Sequence, residues 1–183
     1  MKRTLGVIAG LTLAAGLAAA PAQAQTMDDA RPITIGLAGG LSLPLGDFGE
    51  TTESGYAVQG SIGFQPATIP FGLRADVMYQ SFGLDNFDGS LTTLSGSLNA
   101  LFSVGTAGSG VRPYLIGGVG MYNLGGEVEG VDIDSETKVG LNGGAGLRFA
   151  LSGFNTFLEA RYHSVFTDDE STNFIPILFG VEF

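Results

Sequence analysis

Residues 138–149 read Lys138-Val139-Gly140-Leu141-Asn142-Gly143-Gly144-Ala145-Gly146-Leu147-Arg148-Phe149. Val139, Leu141, Gly143, Ala145, Leu147 and Phe149 share one side of a two-residue period. Lys138, Gly140, Asn142, Gly144, Gly146 and Arg148 share the other. Successive side chains of an extended chain point to opposite faces, so this is a strand with one oily face and one sparse polar face.

The same period recurs on both sides of this stretch, and from Arg31 onward no window carries the stripe of an amphipathic helix. Ile33, Ile35, Leu37, Gly39, Leu41 and Leu43 form one apolar face, and Tyr56, Val58, Gly60, Ile62 and Phe64 a second. Phe71 to Tyr79 and Leu94 to Val104 repeat the pattern, with Leu101 out of step. Leu158, Ala160, Tyr162, Ser164 and Phe166 oppose Glu159, Arg161 and His163. Ile175, Ile177, Phe179, Val181 and Phe183 oppose Gly180 and Glu182. The stretch from Tyr114 to Leu124 is apolar or glycine on both faces, and we expect Tyr114, Ile116 and Tyr122 on its oily side. Eight strands result, most of them near the 9 to 11 residues that a tilted membrane-spanning strand needs.

Composition decides which face meets water. The 183 residues include 30 glycines, no cysteine and one histidine, and only 14% are charged, against about 25% in soluble domains. Across the eight strands the polar face carries only Arg74, Asp76, Lys138, Arg148, Glu159, Arg161 and Glu182 among small polar residues. A water-facing barrel wall would carry Lys and Glu along every strand. The polar face is therefore expected inside, where glycine makes room for arginines and their partners, and the oily face toward lipid. Aromatic residues near strand ends (Tyr56, Phe64, Phe71, Tyr79, Phe102, Tyr114, Tyr122, Phe149 and Phe166) suit interfacial girdles. A pI near 4.2 argues against nucleic-acid binding, and the absence of cysteine excludes thiolate metal sites and disulfides.

The connections alternate. Compact links fall at 66–70, 105–113 and 152–155, and acidic stretches at 44–55, 83–90, 125–137 and 167–172, which hold 13 of the 18 acidic residues. Short periplasmic turns and long outer loops alternate in this way, and an even strand number puts both mature termini in the periplasm. Lys2 and Arg3, the apolar run Leu5 to Ala20 and then Ala22-Gln23-Ala24 have the order of a secretory signal peptide cleaved after Ala24. Three segments follow: a signal peptide over 1–24, a short linker over 25–30 and one barrel domain over 31–183. The mature chain then has six basic residues against 18 acidic ones, a net charge of −12.

Eight amphipathic strands and the closing segment Ile177-Leu178-Phe179-Gly180-Val181-Glu182-Phe183 resemble the small OmpA/OmpX-type outer-membrane β-barrels over residues 31 to 183. That resemblance implies an all-β, eight-stranded antiparallel up-and-down transmembrane barrel in a Gram-negative outer membrane. It also implies Phe183 as the signal read by the barrel-assembly machinery, and contact with outer-membrane lipid and lipopolysaccharide. Pro176 lacks a ladder donor and is expected near the outer rim, at a bulge or a break in pairing.

Buried charges need partners. Arg74, Asp76, Arg148, Glu159, Arg161, His163 and Glu182 are expected to form one charge network in a filled lumen, with no cofactor and no metal. Some outer-membrane lipid A deacylases are similar eight-stranded barrels with a His and a Ser in this part of the chain. Here His163 and Ser164 are adjacent and fall on opposite faces, so a direct hydrogen bond cannot activate the hydroxyl. Glu127, Glu129, Asp132, Asp134 and Glu136 lack the residue order of an EF-hand and are expected to form a hydrated, flexible loop, with a weak divalent cation bridging to lipopolysaccharide phosphates as the lesser alternative. The expected function is non-enzymatic, a structural or surface-interaction barrel with acidic extracellular loops. A narrow small-solute channel, a lipid A-modifying enzyme and a soluble periplasmic binding barrel are the alternatives.

Overall fold

The computed structural model describes residues 32–66, 69–84, 89–104, 110–128, 131–167 and 171–183. The expected signal peptide, with its cleavage after Ala24, and the expected linker lie outside the described residues. Eight strands follow one another: β1 (Ile33–Leu45), β2 (Gly55–Phe64), β3 (Phe71–Gly83), β4 (Gly89–Ser103), β5 (Val111–Val128), β6 (Val131–Leu151), β7 (Phe154–Phe166) and β8 (Ser171–Glu182). Each pairs antiparallel with the next, and β8 pairs with β1 to close the barrel. Closure leaves no open edge within the ring, which is what a strand-built membrane span requires. Among the described residues one short helix, α1 (Asp47–Thr51), lies between β1 and β2. Among the described residues no helix is long and apolar enough to cross a membrane, so any crossing is made by strands.

The oily faces of β1 to β4 and β6 to β8 point outward as their alternation predicts. Ile35, Leu73, Leu98, Leu141 and Phe179 are all exposed on the outer wall. So large an apolar surface has no place in water, whereas acyl chains match it. Tyr56 packs near Tyr79 at one end of the wall. Phe71 packs on Phe102 and Phe154 near Phe183 at the other.

Strand β5 corrects the expectation for its facing. Tyr114, Ile116 and Tyr122 point into the lumen and are buried, while Leu115, Val119 and Met121 face out. Glycines across the ladder make this possible, since Tyr114 lies opposite Gly146 and Ile116 opposite Gly144. The facing is checkable. Val119→Arg is expected to destabilise the barrel by about 2–4 kcal/mol in urea titrations in phospholipid vesicles, the cost of arginine on the lipid face near mid-membrane. Tolerance of that arginine would mean that β5 is turned the other way.

Two further expectations change. The acidic stretch 125–137 is not a loop, because β5 runs to Val128 and β6 starts at Val131, with a register shift between Leu124 and Gly126. Pro176 sits in the middle of β8 rather than at the rim. The β7–β8 ladder is interrupted between the pairs Ala160–Ile177 and His163–Phe174, without a shift of register, where the missing N–H of Pro176 removes a donor.

Candidate functional site

The inner faces converge on a lumen packed in layers. At mid-height Arg74 and Asp76 come from β3, and Glu159 and Arg161 from β7, across the ring. Spacing by two residues aims both members of each pair inward. Arg74 donates from Nε to Asp76 Oδ1 at 2.8 Å and from Nη2 to Glu159 Oε1 at 2.7 Å. Arg161 Nη1 donates to Asp76 Oδ2 at 2.8 Å. Its Nε stands 2.9 Å from Glu159 Oε1 as an ion-pair contact without the alignment of a hydrogen bond.

All four side chains are buried, two positive and two negative, so the group is neutral and each charge faces two opposite ones. In a low-dielectric interior that arrangement offsets desolvation that an isolated ion could not survive. Three neutral side chains complete it. Tyr114 donates to Glu159 Oε2 at 2.6 Å, Asn99 Nδ2 donates to Asp76 Oδ2 at 2.9 Å, and Gln59 Oε1 accepts from Arg161 Nη2. Glycine at 146 is required because any side chain there would occupy the place of the Tyr114 ring.

A second layer lies toward the rim where β1 begins and β8 ends. Arg148 Nε is 2.8 Å from Glu182 Oε2, and Arg148 Nη1 donates to Gln65 Oε1 at 3.0 Å. Gln65 in turn donates to Ser103 Oγ at 2.6 Å. The Arg148 guanidinium also lies 5.5 Å from the centre of the Tyr114 ring, a cation–π contact that joins this layer to the quartet.

The third layer is apolar. Ala57, Met78, Phe82, Tyr122, Val165, Phe174 and Leu178 form a buried cluster inside the barrel. Phe48 of α1 closes over it, edge-on to Phe82 at 5.3 Å between ring centres. His163 belongs to this layer rather than to the charged ones. Its ring stacks on Phe174 at 5.0 Å, and its Nδ1 shares a hydrogen bond of 2.9 Å with the Tyr122 hydroxyl.

The structure thus distributes the expected single network over three sites. Arg74, Asp76, Glu159 and Arg161 come together, Arg148 and Glu182 pair separately, and His163 packs among aromatics. Lys138 lies outside all three, 2.6 Å from the exposed Glu136. Sequence reading missed Tyr114, Gln59 and Asn99 as partners of the quartet, and missed the apolar layer. The signal available was cross-ladder complementarity, with Gly63 opposite Arg74, Gly144 opposite Arg161 and Gly146 opposite Tyr114. Among the described residues no group of three His, Asp or Glu side chains stands together as a metal site.

The sequence model of the outer membrane protein beta-barrel domain family matches residues 10–183. No curated protein matches the chain in sequence. Among solved structures the chain is similar to Neisserial surface protein A, with 19% identity and a TM-score of 0.65 over 85% of this chain and 98% of that one. It is similar to a major outer membrane protein from Thermus thermophilus, with 12% identity and a TM-score of 0.60 over 84% and 99%. It is also similar to the N-terminal β-barrel domain of Pseudomonas aeruginosa OprF, with 21% identity and a TM-score of 0.52 over 84% and 98%. At these identities the likeness is one of fold.

Proposed function

Since the chain belongs to the outer membrane protein beta-barrel domain family, we propose that it is a non-enzymatic barrel of the bacterial outer membrane that is closed to solutes and acts through its acidic end. The observation that carries this reading is the quartet. Arg74 and Asp76 on one wall bond Glu159 and Arg161 on the opposite wall, so the lumen is crossed where a channel would need it open. An eight-stranded barrel is only wide enough for its own side chains to fill, and here they do. His163 is enclosed by aromatics and Ser164 falls on the other face of β7, which supports a role without hydrolysis.

The rim where Ile35 and Phe183 exchange backbone hydrogen bonds of 3.0 and 2.9 Å is the periplasmic one in this reading, and Phe183 is the assembly signal. The opposite rim carries α1 with Asp47 and Glu50, and the hairpin of β5 and β6 with Glu127, Asp132, Asp134 and Glu136. Pairing of β6 with β7 extends to Gly140 opposite Val165, whereas its pairing with β5 continues to Val131. The hairpin therefore projects past the end of β7, with the exposed Glu127 and Glu136 suited to divalent cations shared with lipopolysaccharide phosphates.

Conductance of the refolded chain in planar bilayers tests the closed lumen. No steps above the bare bilayer are expected, and reproducible steps would replace this reading with that of a small-solute channel. The acidic end has its own test, a variant with Glu127→Gln, Asp132→Asn, Asp134→Asn and Glu136→Gln. It should keep the mobility shift between boiled and unboiled samples yet lose calcium-dependent retention on lipopolysaccharide vesicles. Undiminished retention would remove the cation bridge.

A further inference from the structure

Between the quartet and the apolar layer, one row of the inner wall runs Asn99 on β4, Gly118 on β5, Asn142 on β6 and His163 on β7, each opposite the next in the ladder. All three side chains in this row are buried, His163 and Asn99 to within 1% of complete. Asn99 spends its Nδ2 on Asp76 and Ser97, which leaves Oδ1 turned over Gly118, where a methyl group would collide with it. Asn99 Oδ1, both Asn142 amide atoms and His163 Nε2 have no protein partner. The Asn142 amide lies toward the Tyr122 hydroxyl without an aligned hydrogen bond to it.

So many unpaired polar atoms in one row of a buried wall are exceptional, because each costs free energy unless something bonds it. Gly118 lets the row close up, since a side chain there would run into Leu98 O and Asn99 Oδ1. The neighbouring quartet is neutral, and the row offers both acceptors (Asn99 Oδ1, Asn142 Oδ1) and a donor (Asn142 Nδ2), with His163 Nε2 either one according to its tautomer. A cation or an anion would satisfy half of these groups and oppose the rest. We propose that this row is an internal hydration site, in which the unpaired atoms of the Asn99, Asn142 and His163 side chains hold tightly bound water, sealed between the charge quartet and the apolar layer. A ligand that both donates and accepts, is uncharged and is small enough for a lumen filled by side chains is water, which makes about three such bonds when buried.

The test uses the full chain refolded in detergent micelles with 15N-labelled amides. Nuclear Overhauser spectra are expected to show cross-peaks at the water frequency on the Asn99 and Asn142 side-chain amides, with the sign of a pair tumbling with the protein. Absent cross-peaks, or ones with the sign of rapidly exchanging bulk water, overturn the proposal. The second pattern would also mark a lumen open to solvent, whereas absence alone leaves the closed barrel untouched. Asn142→Leu gives an independent reading. If water is bound, removing its anchor lowers Tm by about 2–4 °C; if the row is dry, replacing an unpaired amide by an apolar group raises Tm, and the site does not exist.

Discussion

Glu159→Ala is expected to remove about 3–5 kcal/mol of stability, measured as a lower urea midpoint for the barrel in phospholipid vesicles, with the slope of the transition unchanged. The loss follows from what remains. Arg74 and Arg161 each face Glu159 and Asp76, and with the first gone two buried guanidiniums share one carboxylate. Tyr114 also loses the acceptor of its 2.6 Å hydrogen bond. Removing a whole pair is a different perturbation. Arg74→Met with Glu159→Met leaves one arginine and one carboxylate still bonded to each other, and an apolar pair of similar bulk in place of the ions. That double variant should be milder than Glu159→Ala, because exchanging a buried ion pair for packed apolar groups is often close to neutral. If Glu159→Ala matches the double variant, the charges are not coupled across the lumen and the quartet is a coincidence of rotamers. Tyr114→Phe isolates the neutral contribution, at about 1.5–3 kcal/mol for a hydrogen bond to a charged group.

Why the sequence showed four of these residues and hid the fifth is a matter of contrast. Arg74, Asp76, Glu159 and Arg161 stand out because each is flanked by residues of opposite character, so period two assigns their face without reference to any other strand. Tyr114 lies in a stretch where Ile116, Gly118 and Gly120 alternate with Leu115, Gly117 and Val119, and neither set is polar. There the facing is decided by the partner strands. Gly144 and Gly146 leave hollows inside the wall opposite Ile116 and Tyr114, and a Tyr hydroxyl finds a carboxylate there that lipid could not offer. A single strand read alone contains none of this.

The hairpin of β5 and β6 was obscured for a related reason. Its glycines and carboxylates resemble a loop, yet Val131 and Ile133 alternate with Asp132 and Asp134, a pattern that a strand projecting into water also produces. The strand count, the closure and the outer face of every strand but β5 were legible because lipid imposes one rule on every strand. The lumen follows no such rule and accepts any set of side chains that fill it and satisfy one another.

Phe174→Ala should be the costliest truncation in the apolar layer, at about 3–5 kcal/mol in the same urea titration. Its ring stacks on His163 at 5.0 Å and meets Phe82 at 6.0 Å and Tyr122 at 6.3 Å, so all three neighbours lose a face at once. Flanked by strands held in the ladder, the site has little freedom to collapse, which puts the loss high in that range. Stability and closure should nevertheless separate. Opening the apolar layer leaves the quartet across the lumen, so Phe174→Ala is expected to show no conductance in planar bilayers. Glu159→Ser with Arg161→Ser leaves the apolar layer in place, and that variant should be silent too. Only the three substitutions together remove both barriers, and conductance steps are expected from that combination alone. Steps from Phe174→Ala by itself would mean that ions pass the quartet and that the aromatic layer is the whole seal. Silence of the triple variant, once shown to be folded by its unboiled gel mobility, would place a further barrier among the other side chains that reach across the lumen, Arg148 to Gln65 and Arg74 over Phe157.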